Sequence, residues 1–183
     1  MRSFVAVEVD EPIRMRLAGL RDKGILSKGP VRWVRPELMH ITLKFLGEID
    51  PAFVADVTGA IQNASEGMKP FELEFKNLGF FPDARRPRVF WAGIEDRDKN
   101  LEILYRRLET ELLKLKFEKD RKAFHPHLTL ARIKDRIRGG VQLGDEENAT
   151  FGSQKVGEIT LFKSELRPQG PLYTPLATVI LPD

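Results

Sequence analysis

A four-residue pattern occurs twice in this chain, as His40-Ile41-Thr42-Leu43 and as His127-Leu128-Thr129-Leu130. In each copy His and Thr alternate with aliphatic residues at a period of two, the spacing of a strand with one face buried. Each half of the chain therefore offers one imidazole and one hydroxyl from the same side of a strand. A single His-x-Thr would be unremarkable, because threonine favours strands on steric grounds and histidine tolerates partial burial. Two matched copies, holding two of the chain's three histidines, predict a pseudo-twofold arrangement that brings both pairs to one cleft.

The flanking sequence supplies the other elements. Residues 3–9 read as a strand, and Asp10 as the cap of a helix that opens Glu11-Pro12 and carries Ile13, Leu17 and Leu20 on one side. Gly24 and Gly29-Pro30 close that segment before a short strand at 31–34. In 39–46, Met39, Ile41, Leu43 and Phe45 are expected on one face, with His40, Thr42 and Lys44 on the other. Asp50-Pro51 restarts a helix that buries Phe53, Val57, Ile61 and Ala64. Phe71, Leu73 and Phe75 alternate with Glu72, Glu74 and Lys76 in a half-buried strand, and a loop with Gly79, Pro82, Arg85, Arg86 and Pro87 follows.

The second half begins with a strand at 88–94 and a helix carrying Leu101, Leu104, Leu108, Leu112 and Leu115. A strand at 126–133 holds the second motif; 137–153 reads as loop with at most a turn of helix, and 155–164 and 173–181 as closing strands. Strands alternate with helices, but direct strand-to-strand returns also occur, which predicts α+β rather than a doubly wound parallel sheet. No glycine-rich phosphate loop follows the first strand.

Composition narrows the chemistry. The chain has no cysteine, which excludes disulfides, thiolate nucleophiles and cysteine-based metal sites, and fits a reducing cytoplasm. Thirty basic residues against 27 acidic ones give a formal charge of +3, enough for a local anion site but not for a broad nucleic-acid-binding face. No apolar run approaches the roughly 18 residues of a membrane span. Residues 1–10 include the acidic Glu8, and no small-residue cleavage site follows, unlike a signal peptide. The expectation is a cytoplasmic protein without membrane association or an obligate protein partner. It would form one domain over residues 1–183, made of two intimately packed lobes.

Two imidazoles titrating near ~6.5 suit general acid–base work on a phosphate ester. One deprotonates incoming water while the other protonates the departing oxygen. Two threonine hydroxyls can donate to the non-bridging oxygens, so the scheme needs no metal and no cofactor. His125-Pro126-His127 resembles a metal pair only superficially. No HExxH or cysteine accompanies it, and His125 reads as structural or as part of the cleft rim.

Arg132 has two readings. Strict alternation places it with Leu128 and Leu130 on the core side, so either the strand ends or bulges there, or the guanidinium reaches the cleft. Arg85, Arg86 and Arg88 form a basic loop that is either a solvated turn or a contact for a phosphate-bearing ligand. Phe80, Phe81 and Trp33 read as core aromatics, one of which at most stacks a ligand ring, and Phe81 is taken as that one.

Several stretches together resemble a known family across essentially the whole chain. They are Phe4-Val5-Ala6-Val7, His40-Ile41-Thr42-Leu43-Lys44-Phe45-Leu46-Gly47, Arg86-Pro87-Arg88-Val89-Phe90-Trp91-Ala92-Gly93, Phe124-His125-Pro126-His127-Leu128-Thr129-Leu130-Ala131-Arg132, Ser164-Glu165-Leu166 and Gly170-Pro171-Leu172-Tyr173. The chain resembles the archaeal and bacterial RNA 2',3'-cyclic phosphodiesterases, also called 2'-5' RNA ligases, of the two-histidine (2H) phosphoesterase superfamily. The resemblance implies a bilobal α+β fold, with two antiparallel-rich sheets around a central cleft and helices outside. It implies hydrolysis of RNA 2',3'-cyclic phosphate to a 2'-phosphate and a 3'-OH, with His40 as acid, His127 as base, and Thr42 and Thr129 on phosphate oxygens. It also favours phosphate or RNA contact for Arg132. ATP-independent 2'-5' ligation of RNA, tRNA halves included, is a second outcome of the same site. A non-catalytic RNA-end binder is the remaining alternative, disfavoured because binding alone needs neither imidazole.

Overall fold

The computed structural model describes residues 1–26, 31–135, 137 and 139–182; the expected break at Gly29-Pro30 lies outside them. The strands are β1 (Arg2–Glu8), β2 (Val31–Trp33), β3 (His40–Glu48), β4 (Phe71–Phe81), β5 (Val89–Glu95), β6 (His127–Ile133), β7 (Thr150–Val156), β8 (Glu158–Arg167) and β9 (Gly170–Ile180). The α-helices are α1 (Glu11–Ala18), α2 (Val54–Ser65) and α3 (Asn100–Lys114). One sheet has the order β3-β1-β8-β9 and the other β2-β6-β5-β4-β7, with antiparallel pairing throughout. This is the expected α+β architecture, with one His-x-Thr strand in each sheet.

One apolar core joins the two sheets. It runs from Val5 and Ile41 through Leu17, Ile61 and Leu104 to Phe75 and Leu128. The period-3.6 stripes are buried as expected on α1 (Ile13, Leu17), α2 (Val57, Ile61, Ala64) and α3 (Leu101, Leu104, Leu108, Leu112). β3 and β6 contact each other where the sheets meet, so the two motifs share one seam.

Several boundaries differ from the sequence reading. Asp10 makes no side-chain cap; its backbone carbonyl accepts from Ile13 and Arg14, and its N–H donates to Gln154 Oε1. Asp50 does cap, accepting from the Ala52 N–H, but it opens a 3-10 turn at Pro51–Phe53 that leaves Phe53 40% exposed ahead of α2. β4 runs on through Gly79 to Phe81, because β5 pairs with it along that whole stretch. Thr150 begins a strand rather than ending a loop; the preceding turn is the 3-10 segment Gly144–Asn148. The expected strand at 155–164 is the end of β7 and most of β8, which belong to different sheets. Their apolar pattern is continuous, and only Gly157 marks the crossing.

The most consequential difference lies inside the motif strands. β1 pairs Ala6 with Thr42 but Val5 with Lys44, so Leu43 is an extra residue on β3. β5 pairs Trp91 with Thr129 but Phe90 with Ala131, so Leu130 is an extra residue on β6. Each is a β-bulge one residue after the motif threonine, and a bulge shifts the alternation by one. Lys44 therefore turns inward, 3% exposed, and Phe45 turns out, 61% exposed, the reverse of the expected faces. In β6 the same shift buries Ala131 and brings Arg132 to the face of His127 and Thr129.

The inward ammonium is fully occupied. Lys44 Nζ donates to the Glu118 carbonyl at 2.9 Å and to Asp120 Oδ1 at 2.8 Å, and pairs with Glu109 of α3. Glu109 Oε2 in turn accepts the Asp120 N–H. Burial opposes the charge, but the two carboxylates outweigh it and hold the Lys44 pKa above its usual value. Stripping one partner from a buried pair costs about 3–5 kcal/mol, because the other charge stays buried. We therefore expect Lys44→Ala to lower the urea-unfolding free energy by roughly that amount, and Phe45→Ala by about 1 kcal/mol or less. Simple alternation along β3 requires the opposite order, so the two unfolding curves decide between the registers.

Candidate active site

His40 and His127 open β3 and β6 and are held in the same way. Each Nδ1 lies beside the carbonyl of the residue two positions earlier: His40 to Leu38 O at 2.8 Å, His127 to His125 O at 2.6 Å. A carbonyl only accepts, so the proton sits on Nδ1 and Nε2 presents its lone pair to the cleft. The exposed His125 therefore serves the site through its backbone. Thr42 and Thr129 lie on the same strand faces, and neither hydroxyl has a partner among the described residues.

The two rings differ in surroundings. Phe4 stacks on His40 with centroids 4.7 Å apart, and Tyr173 meets it edge-on at 5.2 Å. His127 meets Phe81 edge-on at 5.1 Å. Burial lowers both pKa values below 6.5, against the raising effect of the backbone bond; electrostatic interaction with His125 and Arg132 lowers His127 further. Both imidazoles therefore rest neutral at pH 7. Arg132 acts on His127 and also on Tyr173, which touches His40, so one guanidinium faces both halves of the cleft.

Each histidine borders its own recess. A cavity of about 150 Å³ beside His40 is lined by Phe4, Arg14, Glu37, Phe162 and Tyr173. A larger one, about 470 Å³, lies beside His127 and is lined by Lys76, Asn77, Phe81, Trp91 and Gly93. Close packing around this recess requires glycine at two positions: Trp91 lies against Gly79, where a Cβ would overlap its ring, and a Cβ at Gly93 in the lining would come within 2.7 Å of the Lys76 carbonyl. The Trp91 indole N–H is buried there without a partner.

His40 and Thr42 share one face of β3, His127, Thr129 and Arg132 share one face of β6, the two strands meet at the seam, and Phe81 adjoins His127. Of the three aromatics, Phe80 stacks on Phe90 in the core and Trp33 meets Phe90 edge-on at 5.9 Å, leaving Phe81 with His127. Arg86 is exposed in the turn after β4, where Asp83 Oδ1 accepts its backbone N–H, and its side chain contacts neither histidine. Arg88 is spent on the Lys134 carbonyl at 2.7 Å. Sequence reasoning missed Phe4, Trp91 and Tyr173 as neighbours of the two histidines.

Residues 7–91 and 94–173 match the family described as LigT like Phosphoesterase. An RNA 2',3'-cyclic phosphodiesterase of Methanothermobacter thermautotrophicus is 34% identical over 177 residues, covering 95% of each chain. One from Archaeoglobus fulgidus is 34% identical over 180 residues, covering 96% of this chain and 98% of its own. Among solved structures, a Thermus thermophilus protein superposes with a TM-score of 0.83 at 29% identity, covering 99% of this chain and 98% of that one. Escherichia coli LigT complexed with 3'-AMP superposes at 0.77 and 24% identity, covering 100% of this chain and 98% of that one, a likeness of fold. Fold and comparisons together define a phosphoesterase. The chain belongs to the LigT-like phosphoesterase family.

The ring environments give a direct check. Proton–nitrogen correlation spectra should show His40 and His127 as Nδ1–H tautomers at pH 7, each titrating with a midpoint below 6.5. A midpoint above that value for either ring would mean that the carbonyl bond outweighs burial.

Proposed function

We propose that the protein hydrolyses 2',3'-cyclic phosphate ends of RNA to a 2'-phosphate and a 3'-OH, with His127 as base and His40 as acid. The observation that carries this reading is the matched pair of Nδ1-anchored imidazoles, each beside an unpartnered threonine hydroxyl on one seam. The names of the relatives support the substrate and favour hydrolysis over 2'-5' ligation, in which a 5'-OH replaces water at the same site.

In this mechanism water attacks phosphorus opposite the P–O3' bond. His127 Nε2 takes a proton from the water as the new P–O bond forms. The P–O3' bond breaks, and His40 Nε2–H supplies the proton that O3' needs. O2' keeps the phosphate. Thr42 and Thr129 donate to the non-bridging oxygens, where charge builds in the transition state, and Arg132 adds a positive field on the same side. Exchange with solvent then returns a proton to His40 and removes one from His127.

The resting rings are both neutral, so one must acquire a proton before turnover. A bound phosphate anion favours the imidazolium and raises the pKa that burial had lowered. The bell-shaped profile of kcat/KM, which reports the free enzyme, should therefore have its upper limb below pH 6.5. The kcat profile should lie to its alkaline side. His40→Ala and His127→Ala should each lower the rate by about 10²–10⁴, and Thr42→Ala or Thr129→Ala by less. Turnover should persist in EDTA, and phosphorus NMR of the product should show a 2'-phosphate. Near-normal rates for both histidine variants would overturn the paired mechanism, and a predominant 3'-phosphate would reverse the orientation. Which RNA carries the cyclic end in the cell, tRNA halves included, is a question for the same product assay on isolated RNAs.

A further inference from the structure

Beside the seam of the two motifs, on the side away from Phe81 and Trp91, three arginines face the cleft without ion pairs among the described residues. Arg32 of β2 and Arg132 of β6 are directly paired across antiparallel strands, both exposed on the cleft face. Like charges directly opposite each other are unfavourable. Arg2 of β1 shares the cleft face of the other sheet with Phe4, and its charge, with those of Arg32 and Arg132, acts on the Tyr173 hydroxyl. None of these three makes an ion pair among the described residues; Glu48, opposite Arg2 in the β1–β3 register, pairs with the N-terminal amine instead.

A fourth arginine closes the group. Arg35 reaches the Pro171 carbonyl at 3.5 Å while pairing with Glu37, and Gly170 leaves room beside Arg32 and Arg35. A Cβ at Gly170 would lie 3.7 Å from the Arg32 guanidinium, and the backbone there has a φ of +118°, which a side chain would strain. The turn between β8 and β9 thus presses close to the arginines without covering them.

One phosphate cannot account for this arrangement. Arg132 already serves the anion between the histidines, and Arg32 stands one strand further out, with Arg2 across the cleft. We infer that Arg2, Arg32 and Arg35 form a second phosphate site, which holds the phosphodiester on the 5' side of the nucleotide bearing the cyclic phosphate. Guanidinium groups suit this task, since their planar donors match phosphate oxygens in pairs. The substrate is then an RNA strand of two or more nucleotides rather than a free cyclic mononucleotide. This rests on the proposed hydrolysis at the histidine pair and adds a second point of attachment to it.

The test compares a 2',3'-cyclic mononucleotide with a trinucleotide ending in the same base and cyclic phosphate. Kinetics and fluorescence-anisotropy binding are measured over a series of salt concentrations. The native protein should show a KM about tenfold lower for the trinucleotide, with an affinity that falls more steeply with salt, by about 0.7 in log–log slope per phosphate held. Arg32→Gln should remove most of that advantage and flatten the slope, while kcat/KM for the mononucleotide stays within about twofold. Arg35→Gln should act in the same direction, more weakly because Glu37 already shares its charge. Equal KM and equal salt slopes for the two substrates in the native protein would overturn the site without any variant. Equal losses on both substrates in Arg32→Gln would place that arginine at the scissile phosphate instead. Absence of turnover on both substrates would overturn the hydrolase reading alone, and the binding titrations would still decide the second phosphate site.

Discussion

Two single-residue bulges, at Leu43 and Leu130, organise both halves of the cleft. Before each bulge the strand alternates as its sequence suggests, with His and Thr toward the cleft and aliphatic residues in the core. After it two consecutive residues point inward, and the next faces out again. A regular strand could not present His, Thr and a third group at position i+5 from the His on one face, because that separation is odd. The bulge makes the third position available, and Arg132 occupies it in β6. In β3 the position belongs to Phe45, which packs toward Phe4 with centroids 6.0 Å apart. The duplicated geometry thus carries a charge in one copy and an aromatic ring in the other.

The residue displaced inward differs as well. In β6 it is Ala131, which needs nothing. In β3 it is Lys44, whose ammonium can remain buried only because Glu109, Asp120 and the Glu118 carbonyl meet it. That requirement ties the first motif to the segment leading into the second. Residues 118–120 sit seven to nine positions before His127, and Tyr105 of α3 stacks on Phe124 at 4.3 Å between them. The buried pair therefore fixes the approach of one motif strand by a contact from the segment leading into the other. Its net stabilisation is smaller than its Coulomb attraction suggests, since both charges leave water, and positional definition is its more evident contribution.

Much of this was legible in the sequence. Period-two spacing identified both motif strands, and period-3.6 stripes placed the buried faces of all three α-helices. The assignments that failed share one cause: a local pattern carries no information about partners. Nothing in Leu43-Lys44-Phe45 specifies a bulge; the neighbouring strand imposes it through pairing. Lys155 to Ser164 reads as one strand because both sheets want the same alternating residues, and the sheet boundary is a matter of which edge is free. Phe4 and Tyr173 were out of reach as partners of His40 for the same reason, being 36 and 133 positions away in a chain whose pairing was unknown. Arg132 was the instructive intermediate. Its misfit with strict alternation left a strand end, a bulge or a reach across to the cleft open, because a guanidinium on a core face has no low-energy solution, and the pairing with β5 selects the bulge.

The proposed hydrolysis asks two imidazoles with the same anchoring to do opposite work. Their anchoring is the same, so the asymmetry must come from what surrounds Nε2. His40 sits between Phe4 and Tyr173 and is desolvated by them, with no cation among the causes of its shift. His127 is less enclosed, but the charges of His125 and Arg132 act on it directly. An incoming phosphate anion changes these two settings differently. At His127 the anion is shared with Arg132, which satisfies part of its charge and lessens the pull on the imidazole. Arg14 lines the recess beside His40 together with Glu8 and Glu37, and no charge figures among the causes of the His40 shift, so in the proposed mechanism a desolvated ring next to an anion gains most by holding a proton. In the proposed mechanism substrate binding thus favours the proton on His40 and leaves His127 free to accept one. On that reading the fold supplies two similarly anchored rings, and the arginine beside one of them makes them unequal once substrate is bound.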